Sequence, residues 1–190
     1  MRKIAIVGDI GSGKTFFSKL FGYPVFNADL VVSNIYKEDK FLFRKIKKKF
    51  PDKVSTFPLK KEDLLKIIFH KHTNLNTLGK IIHPTVRKKM KEFFKINKKK
   101  KFVVLDVPLF LENRLNKKKD IIIFVESDKK KITQKLKRRK NINLKLINIL
   151  KKNQLPAGLK KKKSTYIIKN NFVRNTAKKN VRLIMKEINK

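Results

Sequence analysis

The 190-residue chain has no cysteine and no tryptophan, only six glycines and six prolines, and 14 acidic residues against 52 basic ones. Without cysteine there is no disulfide, no thiolate zinc site and no thiol nucleophile. No apolar stretch approaches the roughly 20 residues of a membrane-spanning helix. The apolar run nearest the amino terminus, Ile4–Val7, is too short for a signal peptide. A cytoplasmic protein with no membrane partner is therefore expected. The shortage of acid leaves a net charge of +38, but the excess is almost all lysine, 44 Lys against eight Arg. Residues with A/T-rich codons (Lys, Ile, Asn, Phe) are favoured throughout, which points to compositional drift. The lysine runs at 98–101, 117–119, 129–131 and 160–163 fall between apolar segments, where solvated turns and helix faces are expected. No RNA- or DNA-binding signature accompanies them, so no dedicated nucleic-acid partner is expected. Incidental polyanion binding at low salt follows from the charge alone.

Three of the six glycines lie in one loop, Gly8-Asp9-Ile10-Gly11-Ser12-Gly13-Lys14-Thr15. It follows the apolar run Ile4-Ala5-Ile6-Val7 and leads into Phe16-Phe17-Ser18-Lys19-Leu20-Phe21, which reads as a helix. This is the G-x-x-x-x-G-K-[ST] pattern in a strand–loop–helix context. Glycine lets the backbone wrap closely, so that successive N–H groups converge on one anion. The helix start adds unsatisfied N–H groups and a positive dipole end. Lys14 can reach the β- and γ-phosphates of a nucleoside triphosphate, and the Thr15 hydroxyl can ligate Mg²⁺.

Further strands are expected at 25–27, 102–106, 121–125 and 166–168, each bounded by turn residues or helical patterns. Helices are expected at 30–49, from 62, at about 77–97 with a break at His83-Pro84, at 129–139 capped by Ser127 or Asp128, at 143–153, and from Asn175 or Thr176 to about 189. Alternating strands and helices argue for an α/β fold, a five-stranded parallel sheet flanked by helices, with 30–97 as a helical insertion. The length suits one domain with insertions.

Ligands of open α/β sheets bind outside the carboxyl ends of the strands. That rule gathers the glycine-rich loop, Asp29 after the second strand, Asp106 at the end of the third and Asn170 after the fifth. One carboxylate can ligate a metal and the other can take a proton from an acceptor hydroxyl. Asp29 suits the second role, and equally suits capping the helix that follows it. Asp106 closes its strand in the manner of a metal-binding Asp, or is merely a strand-end carboxylate. Arg138 and Arg139, in a chain that otherwise uses lysine, can grip phosphate bidentately from a lid or belong to a solvated charge run. His83 reads as a structural histidine near a helix start.

Several segments then occur in an order and spacing that resemble one family. They are Val7–Thr15, Asn27-Ala28-Asp29, Ile82-His83-Pro84-Thr85-Val86-Arg87, Asp106-Val107-Pro108-Leu109-Phe110-Leu111-Glu112, Arg139, Gln154-Leu155-Pro156, Lys160 and Ile167-Ile168-Lys169-Asn170. The chain resembles the dephospho-coenzyme A kinases. The resemblance implies a P-loop kinase domain over 1–190, with a core (1–29 and 102–190), a helical substrate lobe (about 30–97) and a short lid (about 138–160). It implies ATP and Mg²⁺ as cofactors and dephospho-coenzyme A as the small-molecule substrate, in a monomer or small homo-oligomer. Carried over by position, Asp29 is the catalytic base, Lys14 the phosphate clamp, Thr15 a metal ligand with Asp106, and Arg139 the lid arginine. His83, Arg87, Pro108, Leu109 and Glu112 line the acceptor side with Asp29, and Asn170 lies near the adenine. Asp9 departs from the family's usual Gly, and Asn27 from the first Asp of Asp-Ala-Asp. Leu150 stands where an Arg often precedes the Gln, and Ser164-Thr165 replace Ala-Asp. A nucleoside monophosphate kinase and a basic nucleic-acid-binding NTPase are the competing readings.

Overall fold

The structure is a computed structural model that describes residues 1–71, 73–138 and 143–190. Five segments pair as one wholly parallel sheet: β1 (Arg2–Gly8), β2 (Val25–Asn27), β3 (Phe102–Asp106), β4 (Ile121–Ser127) and β5 (Tyr166–Asn170). Their spatial order is β2-β3-β1-β4-β5. The apolar runs explain it, because Ile4, Ala5 and Ile6 and the whole of Phe102–Asp106 are buried, as a sheet covered on both faces requires. One face packs on α1 (Lys14–Leu20) and α9 (Arg174–Asn189), where Phe17, Phe21, Val181 and Ile188 join Ile4, Ile6, Val104 and Ile123 in one cluster. Burying a side chain as large as Phe17 stabilises the fold by roughly 1.5–3 kcal/mol.

The chain forms two compact units, residues 1–27 with 97–190, and residues 28–96. The first holds the sheet together with α1, α6 (Lys129–Lys137), α7 (Leu144–Lys152), α8 (Ala157–Lys162) and α9. The second is helical: α2 (Ala28–Glu38), α3 (Lys40–Lys49), a 3₁₀ turn at Pro51–Lys53, α4 (Lys61–His70) and α5 (Asn74–Ile96). Its interior is built from Ile35, Leu42, Ile46, Ile67, Ile68, Leu78 and Ile82.

Several expected elements change. The helix expected over 30–49 breaks at Asp39, whose extended backbone (φ −88°, ψ 91°) and side chain, accepting from the Leu42 N–H at 2.8 Å, start α3 afresh. The break expected at His83-Pro84 does not occur: α5 runs through Pro84 without ending. Asp128 rather than Ser127 caps α6, accepting from the Lys131 N–H. The last helix starts at Arg174, ahead of Asn175 and Thr176, with Val173 at its cap and no side-chain cap. Helix α8 lies in what reads as a solvated lysine run, and Lys160 is its buried residue.

Candidate active site

Register brings the chemistry to one edge of the sheet. Gly8 pairs with Val125, Asn27 with Asp106 and Ser127 with Asn170, so the carboxyl ends of the strands line up. The loop leaving β1 starts where the strand order reverses, the place at which open α/β sheets bind ligands.

The loop admits no side chain at its turning points. Gly13 has φ +97°, and a Cβ there would stand 2.6 Å from Asn170 Nδ2; at Gly8 (φ +152°) one would stand 2.8 Å from Ser12 Oγ and 2.9 Å from the Val125 carbonyl. Two side chains from other strands brace the loop. Ser127 Oγ and Asn170 Nδ2 both donate to the Ser12 carbonyl, at 2.9 and 2.8 Å. Asn170 is buried, and its Oδ1 accepts from the Phe172 N–H, so both ends of its amide hold backbone. Ser12 is buried, Ile10 and Gly11 are half-buried, and Thr15, at the first turn of α1, is exposed. Lys14 curls back, donating to the carbonyls of Gly8 (3.1 Å) and Asp9 (2.9 Å). Its ammonium is thus held at the loop itself, where an anion's charge has to be met.

Two contacts at this edge were not visible from sequence order. Asn27 Nδ2 donates to Asp106 Oδ2 at 2.7 Å. An Asp at position 27 would set two carboxylates side by side there, and the amide instead anchors the buried Asp106. Asp9 accepts at Oδ1 from Lys160 Nζ at 2.7 Å, joining the loop to α8. After β3, Pro108 and Leu109 are half-buried in a turn. Glu112 follows them and accepts from the Leu155 N–H at 2.9 Å, which ties that turn to the Gln154–Pro156 segment.

In the helical unit, Asp29 is exposed and lies in the first turn of α2 instead of ahead of it. Arg87 is exposed on α5, one turn beyond the half-buried His83. An open cleft of about 360 Å³ between α2 and α5 is lined by Val31, Asn34, Ile35, Glu38, Asp39, Thr85 and Lys89, so neither His83 nor Arg87 belongs to it. Arg139 lies outside the described residues; Arg138, at the end of α6, is exposed.

Burial and then the Arg87 charge hold the His83 imidazole below its ordinary pKa of 6.5. The unfolded chain therefore takes up this proton before the folded one does. His83 contributes nothing to the pH dependence above that range, and stability is lost as pH falls below it. The melting temperature should drop less between about pH 7.5 and 5.5 in His83→Gln than in the parent. Equal slopes in thermal melts would contradict this.

The donors suit a triphosphate with Mg²⁺. Thr15 supplies a hydroxyl and Asp106 a carboxylate, hard oxygen ligands of the kind magnesium takes. Among the described residues no group of three or more His, Cys, Asp or Glu could hold a metal. Among them, too, no helix is long and apolar enough to cross a membrane.

A profile of the dephospho-CoA kinase family matches residues 2–175. A dephospho-CoA kinase of Wolbachia pipientis wMel is 35% identical over 171 residues, 87% of each chain. One from Bartonella quintana is 34% identical over 173 residues, 88% of each chain. Among solved structures, TT1252 from Thermus thermophilus superposes with a TM-score of 0.79 at 22% identity, covering 98% of this chain and 97% of its own. A dephospho-CoA kinase from Campylobacter jejuni gives 0.64 at 21% identity, with the same coverage. At those identities the superpositions speak for the fold, while the family match extends over nearly the whole sequence. By that match this chain belongs to the dephospho-CoA kinase family.

Proposed function

We propose that this protein transfers the γ-phosphate of ATP to the ribose 3′-hydroxyl of dephospho-coenzyme A, yielding coenzyme A and ADP. The observation that carries the reading is the family match over residues 2–175, which includes a glycine loop built to take a triphosphate. Phosphoryl transfer passes through a loose transition state, so positioning and charge neutralisation supply most of the catalysis.

Each residue then has a task. Backbone N–H groups of Gly8–Thr15 and the Lys14 ammonium hold the phosphates. Asn170 acts through the loop, whose Ser12 carbonyl it fixes. Asp29 orients the 3′-hydroxyl and takes its proton as the oxygen bonds to the γ-phosphorus and the bond to the ADP oxygen breaks. Thr15 and Asp106 would hold Mg²⁺, which when bound would neutralise phosphate charge. Arg139 acts from the lid on the transferring group. His83, Arg87, Pro108 and Leu109 line the acceptor side, and Glu112 supports it through Leu155. The enzyme works in the cytoplasm as a monomer or small homo-oligomer, with no dedicated nucleic-acid partner.

A nucleoside monophosphate kinase would surround the acceptor phosphate with several arginines, and residues 30–97 contain only Arg44 and Arg87. ADP release from the purified protein should require dephospho-coenzyme A within a panel of acceptors that includes nucleoside monophosphates, DNA and RNA. Turnover driven by a monophosphate, or ATP hydrolysis stimulated by nucleic acid and suppressed by salt, would refute the assignment.

A further inference from the structure

Four lysines run from 160 to 163, and three of them are exposed. Lys160 is only 2% exposed. Its ammonium meets Asp9 Oδ1 at 2.7 Å and Gln154 Oε1 at 3.4 Å. A buried ammonium persists only with a compensating charge and acceptors for its protons. Asp9 supplies that charge from the second position of the phosphate loop. A carboxylate is a poor choice there on its own, since it repels the anion the loop exists to bind. Asp9 keeps 36% of its side chain exposed, so its charge is not hidden by burial. Among the described residues its ion-pair partner is Lys160. Lys14 donates to the backbone carbonyls of Gly8 and Asp9, while the Asp9 side-chain carboxylate meets α8.

We propose that Lys160 is a positioning residue for ATP: its buried ammonium cancels the Asp9 carboxylate and clasps α8 to the phosphate loop, so that the two residues form a matched pair. The proposal rests on the loop being the ATP site, and goes further by giving the loop's unusual carboxylate a fixed partner 151 residues away. Lys160 acts through Asp9 and needs no contact with the nucleotide. Gln154 takes part by accepting a second hydrogen bond from the same ammonium.

The test is ATP affinity by titration calorimetry on the full chain without acceptor, at two salt concentrations, with thermal melts alongside. Lys160→Met keeps length and volume in a buried site and leaves Asp9 partly solvated, so the variant should fold. Its ATP dissociation constant should rise about tenfold or more, and the loss should be larger at low salt, where an uncancelled charge is less screened. Adding Asp9→Gly to Lys160→Met should bring affinity back to within about threefold of the parent, a non-additivity that a merely structural role would not give. Lys160→Arg, which keeps the charge, should stay near the parent.

Parental affinity in Lys160→Met would overturn the proposal. So would a double variant as weak as Lys160→Met alone, because Lys160 would then act on phosphate directly. If Lys160→Met does not fold, Asp9→Asn decides the matter: ATP should bind it at least as tightly as the parent, and a loss beyond about threefold would refute charge cancellation. A parent protein that binds no ATP would instead defeat the functional assignment itself, a different result from any of these.

Discussion

Replacing Lys14 by Ala should lower kcat/KM for ATP by about a thousandfold or more, with weaker ATP binding and a fold that still melts cooperatively. Two features of the structure set that expectation. The ammonium is already held at the loop, on the carbonyls of Gly8 and Asp9. Its positive charge therefore needs little reorganisation to meet phosphate, and preorganised charge of this kind is usually the largest single contribution to such reactions. Each of those two neutral-acceptor bonds contributes on the order of 1 kcal/mol to stability. Losing them shifts the melting temperature by a few degrees and does not unfold a domain of this size. Lys14→Arg should recover only part of the loss, because a planar guanidinium does not fit a cradle shaped for a point charge. Steady-state kinetics on a variant whose melt resembles the parent's is the check, and unchanged kcat/KM would remove Lys14 from the site.

The same loop shows which information a linear sequence carries. Strands β1, β3 and β4 are legible because a strand covered on both faces must be a continuous apolar run, and these runs are uninterrupted. Glycine spacing and Lys14-Thr15 are local too, and the structure adds the reason that no other residue fits at Gly13. What sequence order hides is long-range pairing. Ser127 reads as a helix cap, yet its hydroxyl reaches back 115 residues to the Ser12 carbonyl while Asp128 does the capping. Asn170 is marked in the sequence by its strand-end position and by the family resemblance, neither of which shows its bond to the loop, which exists only once Ser127 and Asn170 lie side by side. Lys160 sits in a lysine tract whose composition matches the other lysine runs, and only its place in the family resemblance singles it out. Only folding reveals that one of its four ammoniums is buried.

The helical unit shows the opposite difficulty. Asp39 is a good cap by type, but apolar periodicity continues across it and points to one helix over 30–49. The local bond from its side chain to the Leu42 N–H wins over that periodicity, and the helix restarts. Pro84 fails in the other direction. Proline removes one N–H from the ladder, yet the flanking turns of α5, anchored by buried Leu78 and Ile82, carry the helix through. In both cases the competing signals are present in the sequence, and a local cap decides the first while packing decides the second.

Asp29→Asn should bind ATP as the parent does and lose about a hundredfold to ten-thousandfold in kcat, the usual worth of a positioned general base. Asparagine keeps the size and can still accept a hydrogen bond, but it cannot take the proton as the acceptor oxygen bonds to phosphorus. A group that acts only in the transition state lowers kcat and kcat/KM together, so KM for either substrate should move little. The loss should be severe here because the neighbouring position offers no substitute. Asn27 carries an amide and no carboxylate, and that amide donates to Asp106. Asp29 is exposed in the first turn of α2, where a negative charge favours the helix by about 0.3–1 kcal/mol, so a thermal melt of the variant separates folding from chemistry. A variant melting within a few degrees of the parent and turning over normally would mean that the proton leaves by another route. A variant that also lost ATP binding would place Asp29 among the groups that hold the nucleotide and not with the acceptor.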